Sequence, residues 1–301
     1  MEALSAAQNI YDVITRKVVE AIKEGAGPYK MPWHSSDTWM SLPINVVTEA
    51  YYRGVNVLSL WIDARTKNFP TSHWASYRQW QKLGAQVRKG ERGSTIVFYK
   101  RNEPEQGADD QEVNTPRVFL RFSHVFNGAQ VEGWTAPVVE LPPSFELDKQ
   151  TEAFVAATGA RVGHGFAMAR YRPDLDAIEM PSPAWFVGTA TSSPAQSYHA
   201  VLLHELVHWS GASHRIGREF GKRFGDRTYA FEELIAELGA AFLCSALGIA
   251  NEPRRDHAAY VASWLDVLDR DPKAVFLAAS KAQEAVEYLA NLGAEKDKGR
   301  A

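Results

Sequence analysis

Apolar residues at Ile10, Val13, Ile14, Val18 and Ile22 recur every three or four positions, which predicts an amphipathic helix over about 5–24, closed by Gly25. A shorter helical run covers Val57 to Ala64, with Trp61 beside Leu58 and Leu60 on its buried side. Two strands follow, Ser94 to Tyr99 and Arg117 to Asn127. In the first, alternation puts Ile96 and Phe98 in the core; in the second it selects Val118, Leu120 and Phe122. The acidic, turn-rich stretch Asn102 to Pro116 between them is expected to be a flexible loop.

The pattern changes after a Pro-rich segment near Ala136–Ser144. A helix is predicted from about Lys149 to Thr158, then short strands at Ala167–Tyr171 and Ile178–Pro181. Ser193-Pro194 is a helix start, with a cap followed by proline at the first helical position, and Gly211 supplies the stop. Tyr229 to Leu247 is a second long apolar helix closed by Gly248. Helices over about 256–270 and 272–291 follow, and 295–301 is expected to be disordered. The sum is an α+β protein of two domains, 1–140 with a small sheet and 144–301 built on helices.

Chemistry concentrates on the helix starting at Pro194. His204-Glu205-Leu206-Val207-His208 is an H-E-x-x-H string. Residues four apart lie about 5–6 Å apart on one helix face, so both imidazoles can reach one metal ion. Glu205 is set to hold a water as general base, the arrangement of zinc peptidases. The helix is largely apolar, so its histidines and carboxylate need partners.

Two candidates supply a third ligand. Gly211 and His214 extend the string to H-E-x-x-H-x-x-G-x-x-H, but no methionine follows Met180 to make the turn that pattern requires. Alternatively Glu233, on the next helix, ligates the ion, and Glu237 one turn on orients a histidine from behind. Ala236, Gly239 and Ala240 are small enough to let the two helices approach closely. Glu232 is assigned to the solvated face. Zn²⁺ is the expected ion, with another divalent metal as the alternative.

Charge gives the N-terminal half a different character. The whole chain of 301 residues carries −3, but Tyr51 to Arg101 holds ten basic residues against Asp63 and Glu91, a local +8. Rings interleave with the bases, including Trp74, Tyr77 and Trp80. A cationic groove lined by flat rings suits a single-stranded nucleic acid: Lys and Arg neutralise phosphates, and a ring stacks a base for about 1–3 kcal/mol. Arg53, Asn56, Trp74, Tyr77, Lys82, Arg88, Lys89 and Arg92 are the candidate contacts, and Gly90 and Gly93 present part of that charge at a turn. A second basic run, His214 to Arg227, is expected to be a solvated loop.

Composition narrows the setting. A hydrophobic fraction of 45% supports sizeable cores. Nothing resembles a signal peptide or a membrane span. The single cysteine, Cys244, lies in an apolar helical run and is expected to be buried; no disulfide within the chain is possible, which fits the cytoplasm.

Several separated strings are similar to the ArdC-type antirestriction proteins of conjugative plasmids, with a related region in plasmid TraC-type primases. They are Pro43-Ile44-Asn45, Tyr52-Arg53-Gly54-Val55-Asn56, Trp74 with Tyr77 and Gln79, Leu83-Gly84 with Val87-Arg88-Lys89-Gly90, His204 through Trp209, and Glu232 through Gly239. The resemblance implies an N-terminal domain that binds single-stranded DNA and a C-terminal zincin-like metallopeptidase domain, protecting incoming DNA from host restriction during conjugation. It implies His204, His208 and Glu233 as metal ligands and Glu205 as the catalytic base. Two rival functions remain: a DNA-tethered zinc protease acting on a host protein bound to DNA, and a DNA shield whose metal site is not catalytic.

Overall fold

The computed structural model describes residues 2–26, 41–101, 118–137, 144–188, 192–220, 227–250 and 258–298. The expected loop over 102–116, most of the Pro-rich segment, and Lys222 and Arg223 of the second basic run lie outside them.

The N-terminal part begins with α1 (Glu2–Ala26), then β1 (Ile44–Asn45), α2 (Val55–Thr66), β2 (His73–Ala75), α3 (Tyr77–Lys82), β3 (Gln86–Val87), β4 (Ser94–Arg101), β5 (Val118–Asn127) and β6 (Val131–Glu132). Four strands form a sheet in the order β1-β2-β5-β4, with β1 parallel to β2 and the other pairs antiparallel. β3 and β6 make a separate antiparallel pair. Helix α2 is tied to the edge strand β4: the Asn56 side chain donates to Val97 O and accepts from Val97 N, both at 2.8 Å. Ser59 Oγ donates to Thr95 O at 2.9 Å beside it.

That attachment covers the side of β4 that alternation assigns outward. Val97 is buried and Phe98 is 45% exposed, because α2 packs against the Val97 side. On β5, Phe122 is paired opposite Val97 and is 52% exposed. Paired residues share a face, so on β5 alternation marks the covered side, where Leu120 packs against the largest core although Phe122 is exposed. On β4 it marks the side away from α2, where Ile96 packs against a smaller cluster and Phe98 is exposed, because the covered side is set by a helix over thirty residues earlier.

The C-terminal part comprises α4 (Ser144–Thr158), β7 (Arg161–His164), β8 (Arg170–Arg172), β9 (Ala177–Met180), α5 (Pro194–Ser210), α6 (Arg227–Leu247), α7 (Ala258–Arg270) and α8 (Ala274–Lys298). α8 runs on through residues 295–298, against the expectation of disorder there. The sheet order is β7-β9-β8, with β7 parallel and β8 antiparallel to β9. β7 has no counterpart among the expected strands; its four residues include Gly163 and carry no alternation. The largest core joins both parts: Ile14, Val18 and Ile22 of α1 and Val57 and Trp61 of α2 share it with Leu206, Leu234, Phe242 and Trp264 of the C-terminal helices. Cys244 is buried within it.

Candidate metal centre and nucleic-acid face

Ser193 starts α5, in agreement with its cap signal. Its hydroxyl accepts from Gln196 N, the Gln196 side chain accepts from Ser193 N, and Pro194 follows at the first position. Helix α6 packs along α5 and presents Glu233 to the histidine face. His204 Nε2 and His208 Nε2 lie 3.2 Å apart. Glu233 Oε2 is 3.5 Å from the first, and Glu233 Oε1 is 3.6 Å from the second.

Those separations match a metal site. Donors at about 2.0–2.1 Å from a tetrahedral ion sit about 3.3–3.4 Å from one another. His204, His208 and Glu233 form the one cluster of this kind among the described residues, and all three are buried. The carboxylates behind the rings reinforce the fit. Glu232 Oε1 lies 3.1 Å from His208 Nδ1. Glu237 Oε1 lies 3.1 Å from His204 Nδ1, a close charge contact rather than a straight hydrogen bond. Both anions favour a proton on Nδ1, which leaves two Nε2 lone pairs facing each other. A cation between them relieves that repulsion.

Burial alone would raise the Glu233 carboxyl. The electrostatic attraction of the two imidazoles, His208 first, and the hydrogen bonds from His204 and the Tyr229 hydroxyl together outweigh it and bring the group down to about 2. Tyr229 moves the other way, raised by burial and by its contact with Tyr260. Glu205 is buried one position round the helix from His204, and its Oε2 accepts from Tyr171 N on β8 at 2.8 Å. The alternative ligand stands apart: the His214 side chain is 60% exposed and lies 3.4 Å from Asp176.

Two residues of the site contradict their sequence reading. Glu232 is not on a solvated face; it is 3% exposed and packs behind His208. Arg218, expected in a solvated loop, is bonded to Glu232 in a pair whose side chains are each 4% exposed. Neither burial has a local signal in the sequence. Gly211 needs reinterpretation too. Its φ of −77° is ordinary right-handed backbone, so glycine is not there for the left-handed turn that usually ends helices.

The candidate nucleic-acid residues divide. Tyr77, Lys82, Arg88, Lys89 and Arg92 are exposed around α3 and the β3–β4 turn. Arg88 is partly spent, donating to Glu91 at 2.8 Å and to Ala129 O at 2.6 Å. Trp74 is 1% exposed, with its ring centroid 5.8 Å from that of Phe69, so it belongs to the domain core and cannot stack a base. Trp80 is fully buried, and Trp61 is 3% exposed, in agreement with the expected buried side of its helix. The Asn56 side chain is consumed by Val97, whereas Arg53, ion-paired with Glu287 of α8, keeps its side chain 63% exposed. These corrections share a cause: a motif rich in rings and bases in a small domain is first of all its core and its docking surface.

The C-terminal part is thus a zincin-like metallopeptidase domain, and a family model of that description matches residues 149–281. A second, the N-terminal domain of anti-restriction factor ArdC, matches residues 8–126. The chain is similar to protein y4eC of Sinorhizobium fredii (strain NBRC 101917 / NGR234), with 43% identity over 93% of this chain and 91% of that one. Two DNA primases TraC of Escherichia coli are 32% identical over 96% and 93% of this chain, which spans only 20% and 27% of their length. The crystal structure of the antirestriction ArdC protein from the R388 plasmid in its metal-free form superposes with a TM-score of 0.75 at 36% identity, covering 95% of this chain and 98% of that one. The Mn(II)-bound form of that protein gives 0.73 at 35% identity, over 94% and 98%. The chain belongs to the ArdC antirestriction family. No helix among its described residues is long and apolar enough to cross a membrane.

Proposed function

We propose that this protein binds single-stranded DNA through its N-terminal part, protects incoming DNA from host restriction during conjugation, and carries a working metallopeptidase site. The observation that carries the peptidase reading is the set of three buried donors 3.2–3.6 Å apart with Glu205 beside them. His204, His208 and Glu233 hold the ion. The R388 protein's Mn(II)-bound form supports a divalent metal here, and the two-histidine, one-carboxylate set suits zinc. When bound, such an ion brings the pKa of its water towards about 7 and polarises a carbonyl.

The chain's own residues do the rest. Glu205 takes the proton from the attacking water on the oxygen that Tyr171 N does not hold, and the Tyr171 hydrogen bond fixes the direction in which that oxygen points. Glu232 and Glu237 hold the two rings with Nε2 forward. On the other part, Tyr77, Lys82, Lys89 and Arg92 offer a ring and cations to a single strand, and the match to DNA primases supports a DNA-handling role.

A Glu205→Gln variant tests the assignment. It should keep fold and metal and lose peptide hydrolysis. Its protection of plasmid DNA entering a restricting host then separates the functions. We expect protection to persist, because coating a strand already blocks nuclease access. Loss of protection in a folded, metal-loaded variant would place proteolysis at the centre of the function. Stimulation of proteolysis by single-stranded DNA would favour a DNA-tethered protease.

A further inference from the structure

The eight residues 211–218 after α5, Gly-Ala-Ser-His-Arg-Ile-Gly-Arg, look like an ordinary polar connection. They fold back onto the helix they leave. Ile216 N donates to Ser210 O at 3.2 Å, Gly217 N to Ala212 O at 3.0 Å, and Arg218 N to Gly211 O at 2.8 Å. This return brings the Arg218 guanidinium over the last turn of α5. There Nη2 donates to Val207 O at 2.6 Å and Nη1 to Ser210 Oγ at 3.1 Å.

The same guanidinium reaches α6. Nε lies 2.9 Å from Glu232 Oε2 and 3.2 Å from Oε1, and Nη2 lies 2.8 Å from Oε1. Glu232 Oε1 is also the atom 3.1 Å from His208 Nδ1. A buried carboxylate facing one imidazole alone is incompletely compensated, and the two-pronged guanidinium completes it. Gly211 has a spatial reason to be glycine: a Cβ there would lie 2.7 Å from Cζ and from Nη2 of Arg218.

We propose that Arg218 is a positioning residue of the metal centre. Gripping Glu232 from behind, it fixes the His208 ring with Nε2 towards Glu233, and it decides which of two consecutive glutamates faces the ion. Glu232 is kept at the back of the ring; Glu233 is left as the ligand. The proposal rests on the metal reading above and adds a residue that touches neither metal nor substrate.

The test uses the full chain and Mn²⁺ or Co²⁺ alone as probes, in wild type, Arg218→Lys, Arg218→Ala and Gly211→Ala. Folding is checked by circular dichroism. A folded Arg218→Lys, which keeps the charge but not the fork, should bind Mn²⁺ about 10- to 100-fold more weakly and alter the visible Co²⁺ spectrum. Gly211→Ala, which leaves every ligand in place but displaces the guanidinium, should do the same. Millimolar guanidinium should partly restore Mn²⁺ affinity to Arg218→Ala. A purely structural Arg218 would lower the melting temperature and leave affinity and spectrum unchanged; that result in Arg218→Lys and Gly211→Ala overturns the proposal. Wild type that binds neither ion overturns the metal centre itself, and the positioning role with it.

Discussion

Gly239 of α6 lies directly against Val207 of α5, where the two helices of the metal centre touch: a Cβ at 239 would meet Val207 Cγ2 at 2.8 Å and Cγ1 at 2.9 Å. Val207 is fully buried and precedes His208, so this contact sets how near Glu233 comes to the histidines. Gly239→Ala should gain about 1 kcal/mol of helix propensity and lose about 1–3 kcal/mol to overpacking. The expected net is a loss of up to about 2 kcal/mol with weakened metal binding. Combining it with Val207→Ala should cost less than the two single changes added together. Urea unfolding of the four proteins checks this; simple additivity would show that the helices do not touch here.

Metal content discriminates the two candidate third ligands. Glu233→Ala removes one of three donors and should leave purified protein without stoichiometric metal. His214→Ala should retain it, because His214 stands exposed beside Asp176. Element analysis of both, beside wild type, gives the answer. Full occupancy in Glu233→Ala would remove Glu233 from the coordination set.

The metal helix is legible in the sequence because its signals are local. Ser193, Pro194 and the i,i+4 spacing of His204 and His208 each act within one element, and small residues on α6 announce the close helix contact. Glu232 and Arg218 are not legible. Their burial depends on a chain reversal after α5 that places a guanidinium over Gly211, and no periodicity encodes a reversal. The same limit explains Trp74, Asn56 and Phe98. Which side of a strand α2 covers is a tertiary fact, so rings beside bases look like a stacking surface when several are core. The exposed charge at the surface of α3 and the β3–β4 turn is legible because Gly90 and Gly93 mark the turn itself.

Placement of the basic residues makes two variants differ in kind. Replacing Lys89 and Arg92 together with Ala should weaken single-stranded DNA binding and reduce the salt slope by about 1.4, at about 0.7 for each phosphate no longer neutralised. Stability should change little, since both side chains are exposed. Trp74→Ala should instead destabilise the N-terminal part by about 3–5 kcal/mol, as expected for a fully packed ring. Fluorescence anisotropy across a salt series, with melting curves for each protein, checks both. A Trp74 variant that folds normally and binds DNA weakly would restore that ring to the interface.

Asp176 gives a prediction with a sign in pH. It sits in the turn between β8 and β9, with φ of +47°, and accepts from Arg215 Nη2 at 2.8 and 2.7 Å and from the Tyr171 hydroxyl at 3.0 Å. Burial pushes its carboxyl up, but the Arg215 and Tyr171 hydrogen bonds and the Arg215 charge outweigh that and hold it below the ordinary 3.8. A carboxyl depressed in the folded state stabilises the fold above its unfolded value, and the benefit disappears as pH falls through the folded one. Asp176→Asn should therefore melt lower than wild type at neutral pH, with the gap closing as pH drops below 3.8. Because Tyr171 N also holds Glu205, the variant should loosen the base and slow hydrolysis more than it lowers metal content. A melting gap that stays constant down to acid pH would show that the Asp176 charge contributes nothing to stability.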